Sequence, residues 1–150
     1  MKILMVCLGN ICRSPLAHGI LEHLAKQKGF DWEIDSAGTG SWHIGNQPDR
    51  RSIAVAKNYG VDITSQRARQ FSTKDYDLYD FIFVMDENNY KDVIRLAKTQ
   101  EHKEKVSLFI PNGAVPDPYW DDSQFDSVYH LIHAQCEKLI ESLNKEKLTK

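Results

Sequence analysis

Short continuous apolar runs along the chain alternate with stretches whose apolar residues recur every three or four positions. Ile3-Leu4-Met5-Val6 is one such run, and it ends at a Gly-containing turn, so Met1 to Val6 reads as a buried strand. Asp31 to Ser36 alternates as a strand does. Phe81 to Met85 and Val106 to Phe109 are two further apolar runs of strand length. Between them the period changes. Leu16, Ile20, Leu21 and Leu24 follow helical spacing over Ser14 to Lys28, with Ser14 as a cap, Pro15 at the first helical position and Gly29 as the stop. Asp49 to Tyr59 and Glu87 to Lys98 read as two more helices. Asp121 to Leu143 reads as the longest, opened by an Asp121-x-x-Gln124 capping box and striped by Phe125, Val128, Ile132, Leu139 and Leu143. Ser36 to Pro48 is rich in Gly and polar residues and reads as a loop. The charged end, Lys145 to Lys150, is expected to fray.

Strands alternating with helices predict a single-domain, three-layer α/β fold over residues 1–150, with a four-stranded parallel sheet flanked by helices. No repeat or linker divides the chain, and 150 residues suffice for a core without disulfide or metal staples. Nineteen Lys and Arg against 21 Asp and Glu leave a formal charge of −2, which gives no drive towards nucleic acid or an anionic membrane. No apolar stretch approaches the ~20 residues that span a bilayer, and the first run is too short for the core of a signal peptide. Three Cys is an odd count, which argues against a secreted disulfide scaffold and for a reducing cytoplasm.

In parallel sheets ligands bind beyond the carboxyl ends of the strands, so the first strand points to Cys7-Leu8-Gly9-Asn10-Ile11-Cys12-Arg13-Ser14. A turn there, with a helix N-terminus behind it, aims backbone N–H groups into one concavity and forms a phosphate-binding loop. Gly9 and Asn10 are residue types that tolerate the left-handed backbone of such a nest. Arg13 offers a two-pronged donor to phosphate oxygens. The same positive field is expected to favour the Cys7 thiolate, a nucleophile facing a bound tetrahedral electrophile. Asp117, stiffened between Pro116 and Pro118, is equally an acid for such chemistry or a turn residue. Trp42, Tyr119 and Trp120 lie in polar, loop-like surroundings, where an aromatic ring serves recognition or core. Asp121 and Asp122 suit a helix start better than a metal site. His130 and His133, one helical turn apart, lack a third metal ligand nearby. Cys136 falls near the apolar face of the last helix. Arg67 and Arg69 add positive field near the loop or form a solvated face.

The stretch Val6 to Pro15 resembles the signature loop V-C-x-G-N-x-C-R-S-P of the low-molecular-weight protein tyrosine phosphatases. Asp35-Ser36-Ala37-Gly38-Thr39, Ala68-Arg69-Gln70, Met85-Asp86-x-x-Asn89 and Pro116-Asp117-Pro118-Tyr119 match further segments of that family, in order and along nearly the whole chain. The resemblance implies phosphotyrosine hydrolysis through a cysteinyl-phosphate, with Cys7 as nucleophile, Arg13 as phosphate clamp and Asp117 as general acid, then base. It implies no metal or other cofactor. Phosphate would be held by residues 8 to 14, and the aryl ring by Leu8, Trp42 and Tyr119, with Trp120 at the rim. Ser14 would donate to the Cys7 sulfur, and Asn10 and Ser36 would brace the loop. Gln66 occupies the position where many members carry a His that holds the loop Asn. Cys12 is either a packing residue or a resolving thiol for an oxidised Cys7. The implied partner is a phosphotyrosine-containing protein, with a cognate tyrosine kinase opposing it. Two alternatives stay open: a thioredoxin-coupled arsenate reductase, although Phe71 to Lys105 contains no relay Cys, and a non-catalytic anion-binding module.

Overall fold

The computed structural model describes the chain over residues 1–149, with side chains described to residue 144. The fraying expected of Lys145 to Lys150 concerns residues outside the described side chains. Strand β1 (Lys2–Cys7) leads into helix α1 (Arg13–Gln27), followed by β2 (Glu33–Gly38), α2 (Arg50–Asn58), α3 (Asp75–Leu78), β3 (Phe81–Val84), α4 (Glu87–Arg95), α5 (Gln100–Glu104), β4 (Val106–Leu108) and α6 (Phe125–Thr149). Two 3-10 turns, Pro118–Trp120 and Asp122–Gln124, precede α6. The four strands are parallel, in the order β2-β1-β3-β4.

β1 lies inside the sheet, which is why its sequence is an unbroken apolar run. Ile3, Leu4, Met5 and Val6 are each fully buried, and burial of each such side chain contributes ~1.5–3 kcal/mol. Their alternation divides the core. Ile3, Met5 and Cys7 face a cluster with Leu16, Ile20, Phe125, Ile132 and Leu143 of α1 and α6. Leu4 and Val6 face the opposite cluster, with Tyr76, Val93 and Val106. Cys7 therefore leaves the sheet on the α1 side, at the strand's carboxyl end.

The starts of two helices depart from the sequence pattern, and two short helices escape it, for physical reasons. α1 begins at Arg13, so Ser14 is inside the helix rather than capping it, and Cys12 at the cap position makes no side-chain cap bond. Asp121 does not open the last helix by a capping box. It caps the short 3-10 turn instead, accepting from the Ser123 N–H at 3.0 Å, and α6 starts at Phe125. The helices α3 and α5 are too short to show a period and go unseen in the sequence.

Candidate active site

The loop from Cys7 to Arg13 is held open by specific bonds. Asn10 takes a left-handed backbone with φ of 57°, a conformation Asn adopts more readily than most residues. Gly9 does not share it. A Cβ on Gly9 would come 3.1 Å from His43 Cδ2, so the glycine there provides room under His43 rather than a positive φ. The Asn10 N–H donates to Cys7 Sγ at 3.3 Å, and Cys7 Sγ is 3.0 Å from Ser14 Oγ. Asn10 Nδ2 donates to Ser14 Oγ at 2.8 Å, while its Oδ1 accepts from the Arg69 N–H at 3.1 Å. From the other side the residues just after β2 press against the loop: Thr39 N–H donates to the Cys7 carbonyl and Gly40 N–H to the Leu8 carbonyl, each at 2.9 Å. A Cβ on Gly38 would lie 2.9 Å from the Leu8 carbonyl oxygen. That contact is a physical reason for glycine in the Asp35-Ser36-Ala37-Gly38-Thr39 segment.

Arg13 is buried, and its Nη1 is committed to Asp86 Oδ2 at 2.7 Å and to the Val115 carbonyl at 3.0 Å. Nη2 lies 3.8 Å from Asp117 Oδ2. Among the described residues Nε makes no hydrogen bond, so Nε and Nη2 form a free edge of two parallel donors, the geometry that grips an oxyanion. Burial disfavours the charged guanidinium, but the neighbouring Cys7 and Asp86 outweigh it and hold the proton more firmly than usual. Asp86 also caps α4, accepting from the Asn89 N–H at 2.8 Å. The segment Met85-Asp86-x-x-Asn89 thus anchors the arginine and starts a helix with one carboxylate.

Cys7, Leu8, Arg13, Trp42, Asp117, Tyr119 and Trp120 line one cavity of about 250 Å³, with Gly9, Ile11, Cys12 and His43. Trp42 and Trp120 are 70% and 86% exposed, which puts these rings at the mouth. Trp120 stands edge-on to Tyr119 with centroids 4.8 Å apart. Leu8 is also exposed and belongs to the mouth. Asp117 Oδ1 accepts from the Tyr119 N–H at 3.0 Å, which fixes the Asp117 loop as a 3-10 turn. Cys12 is buried on the same wall, and burial, then the nearby Asp49 and Cys7, pushes its thiol up to about 12.

Two expected braces differ. Ser36 shares with Ile34 the face of β2 that packs on α1, so its hydroxyl meets His18 Nδ1 at 3.0 Å instead of the Cys7 loop. His18 Nε2 in turn faces Glu22 Oε2 at 3.6 Å. Gln66 does not reach Asn10, whose carbonyl oxygen is taken by the Arg69 N–H. Gln66 Nε2 donates to the Pro15 carbonyl at 3.1 Å, bracing the start of α1. Sequence reasoning misses His18 and His43, since neither stands in a recognisable pattern and both act through partners distant in the chain.

Other residues singled out by the sequence lie elsewhere. The Arg69 side chain is neither a solvated cation nor part of the cleft: it pairs with buried Asp75 at 3.1 Å and with Asp35 at 3.2 Å. Arg67 is exposed and donates to the Thr64 and Gln66 carbonyls. His130 pairs with Asp126 and His133 with Glu137, and no metal-binding cluster occurs among the described residues. Cys136 is fully buried on α6 beside the Ala17 carbonyl, so it adds no third thiol to the cavity. Among the described residues no helix is long and apolar enough to cross a membrane.

Comparison with known proteins agrees along the full chain. A family model described as low molecular weight phosphotyrosine protein phosphatase matches residues 2–149. The low molecular weight protein-tyrosine-phosphatase YfkJ of Bacillus subtilis is 39% identical over 153 residues, covering 97% of this chain and 97% of the relative. The human low molecular weight phosphotyrosine protein phosphatase is 36% identical over 149 residues, covering 93% and 94%. The crystal structure of a protein tyrosine phosphatase from Entamoeba histolytica, with Hepes in its active site, superimposes with a TM-score of 0.91 at 35% identity, covering 98% of this chain and 99% of that one. With the fold, the loop and these relatives in agreement, the chain belongs to the low molecular weight phosphotyrosine protein phosphatase family.

Proposed function

We propose that the protein hydrolyses phosphotyrosine in proteins, and small aryl phosphates, through a cysteinyl-phosphate intermediate. The observation that carries this reading is the convergence on one cavity of a thiol, a two-donor guanidinium edge and a carboxyl group. The phosphate enters with its oxygens against the loop amides and the free edge of Arg13. The Cys7 sulfur forms a bond to phosphorus as the bond to the phenolic oxygen breaks. Asp117 donates its proton to that oxygen, a contribution of typically ~10²–10⁴ in rate. The Ser14 hydroxyl faces the sulfur as nucleophile and later as leaving group. In the second half a water attacks phosphorus, Asp117 takes its proton, and the sulfur departs as thiolate. Arg13 and the amides stabilise the equatorial oxygens in both steps. The chemistry uses no metal and no cofactor.

The aromatic mouth supports phosphotyrosine over phosphoserine. A phosphotyrosine ring would rest against Trp42 and Tyr119, which line the same cavity as Cys7, whereas the shorter phosphoserine would leave its phosphate short of the sulfur. The partner is therefore a phosphotyrosine-containing protein, supplied by a tyrosine kinase, in the reducing cytoplasm. Cys12 belongs to the same reading as a resolving thiol. Peroxide oxidises Cys7 to a sulfenic acid, and Cys12 condenses with it to a disulfide with loss of water. With its thiol pushed up to about 12 by burial, that step is slow at neutral pH. Cys12→Ser should recover less fully than wild type when dithiothreitol follows peroxide.

The test is hydrolysis of para-nitrophenyl phosphate by reduced wild type, Cys7→Ser and Asp117→Asn without added metal. Abolished activity in the first variant and a loss of ~10² or more in the second are expected. An inactive reduced wild type would turn the assignment to a non-catalytic anion-binding module. Paired phosphotyrosine and phosphoserine peptides test the substrate class, and equal turnover of both would overturn it.

A further inference from the structure

A single guanidinium joins the loop that carries Asp117 to the loop that carries Cys7. The Asp49 N–H donates to the Ile11 carbonyl of the Cys7 loop at 2.8 Å. The Asp49 carboxylate caps α2 and grips Arg51 from two sides, taking Nε on Oδ1 at 2.9 Å and Nη2 on Oδ2 at 2.8 Å. The remaining arm, Nη1, donates to Asp122 Oδ1 in the second 3-10 turn, just beyond the acid loop. The same guanidinium lies 5.4 Å from the centroid of the Tyr119 ring and 4.6 Å from that of Phe125, the first residue of α6. Arg51 thus touches the segment after Asp117 at its aromatic wall, at its far turn and at the helix beyond.

Asp117 needs such support. Its own side chain has the cap bond to Tyr119 and the 3.8 Å ion pair with Arg13. An incoming phosphate competes for that arginine. The loop then depends on what holds Tyr119 and Asp122. Exposed ion pairs contribute little to stability, but proton transfer is sensitive to position, and a displacement of ~1 Å can cost ~10²-fold in rate.

We propose that Arg51 is a positioning residue for proton transfer. It holds the Asp117 loop in register with the Cys7 loop, through Asp49 on one side and Asp122 and Tyr119 on the other. The inference rests on the reading of Asp117 as the acid. Lysine cannot replace it fully, because only the planar fork engages both oxygens of Asp49 and still reaches Asp122.

The experiment compares kcat/KM for phenyl phosphate, whose leaving group needs a proton, with that for a polyfluorinated aryl phosphate, whose leaving group departs as the anion. Arg51→Gln, Arg51→Lys and Asp122→Asn are measured in the wild-type background and with Asp117→Asn. Arg51→Gln is expected to lower kcat/KM for phenyl phosphate about tenfold, part of the ~10²–10⁴ that an acid supplies. The loss on the fluorinated ester should be several-fold smaller, Arg51→Lys should be intermediate, and neither change should cost more once Asp117 is Asn. Asp122→Asn removes the charge that holds the far arm, leaving only a neutral acceptor, and should show the same selectivity in weaker form, which keeps the test valid if Arg51→Gln folds poorly. Equal losses on both esters, or an undiminished loss in the Asp117→Asn background, would overturn the proposal. A wild type inactive on both esters would instead sink the phosphatase reading on which it rests. A wild type active on both, with Asp117→Asn losing equally on each, would remove Asp117 as the acid and the role of Arg51 with it.

Discussion

Asn10 donates its side-chain amide to the Ser14 hydroxyl at 2.8 Å, and the same hydroxyl lies 3.0 Å from Cys7 Sγ. The direction follows from the other end of the amide. The Arg69 N–H donates to Asn10 Oδ1, so Nδ2 must be the atom facing Ser14. As a thiolate Cys7 can only accept, so in the attacking state the hydroxyl donates its proton to the sulfur.

Ser14→Ala should therefore slow formation of the phosphoenzyme by about ten- to a hundredfold, since a hydrogen bond to a charged group is worth ~1.5–3 kcal/mol. Single-turnover kinetics with para-nitrophenyl phosphate would measure it. Asn10→Ser should lose a similar factor although Ser14 remains, and an unchanged rate in Asn10→Ser would break the relay.

Gly38→Ala should strike the catalytic loop from behind. Its new methyl would meet the Leu8 carbonyl oxygen at 2.9 Å and the Gly9 carbonyl carbon at 3.1 Å, both backbone atoms. Overpacking of this kind costs ~1–3 kcal/mol. Urea unfolding should show that loss together with a fall in kcat. A variant with wild-type stability and rate would mean that the loop yields without cost.

Asp86 carries two duties that substitution can separate. Asp86→Asn keeps a good helix cap but removes the charge beside Arg13, whose side chain is only 4% exposed. Asp86→Ala removes both. Both should unfold more easily, by up to ~3 kcal/mol for the lost ion pair, and the Ala variant by about 1 kcal/mol more for the cap. Coincident denaturation midpoints for the two variants would remove the capping role.

Acid should weaken the fold partly through Asp49. Its hydrogen bonds from Arg51 hold the carboxyl below the usual carboxylate range, against an opposing push from partial burial. A depressed folded-state value means that the contribution is complete above the unfolded value of ~3.9 and is lost as pH falls through the folded one. The deficit of Asp49→Asn relative to wild type, measured by denaturation, should be full at neutral pH and shrink below pH ~4. A deficit independent of pH would assign it to packing instead.

The parts of the site legible in the sequence are those built from neighbours in the chain. Cys7, Arg13 and Ser14 declare themselves because strand, turn and helix follow one another, and the buried strands declare themselves by unbroken apolar runs. Asp117 is legible as an acid only through resemblance, because Pro-Asp-Pro is equally good turn chemistry. His18, His43 and Arg51 are illegible because their roles arise from partners on other elements: Ser36, Gly9 and Asp122. The Ser14-Pro15 pair misleads for a related reason. It has the chemistry of a cap, but Ser14 lies within the helix with its hydroxyl towards the Cys7 sulfur, and Gln66 supports the adjacent Pro15 carbonyl.

The start of α1 has no side-chain cap and no acidic residue in its first turn. A tetrahedral anion would supply what a cap residue supplies elsewhere, so occupancy of the site and resistance to unfolding become a single linked quantity. At an inorganic phosphate concentration a hundred times its dissociation constant, the native state gains ~2.7 kcal/mol. The melting temperature of this protein then reports the oxyanions in its buffer as much as its sequence, and product release loosens the structure that the substrate had tightened.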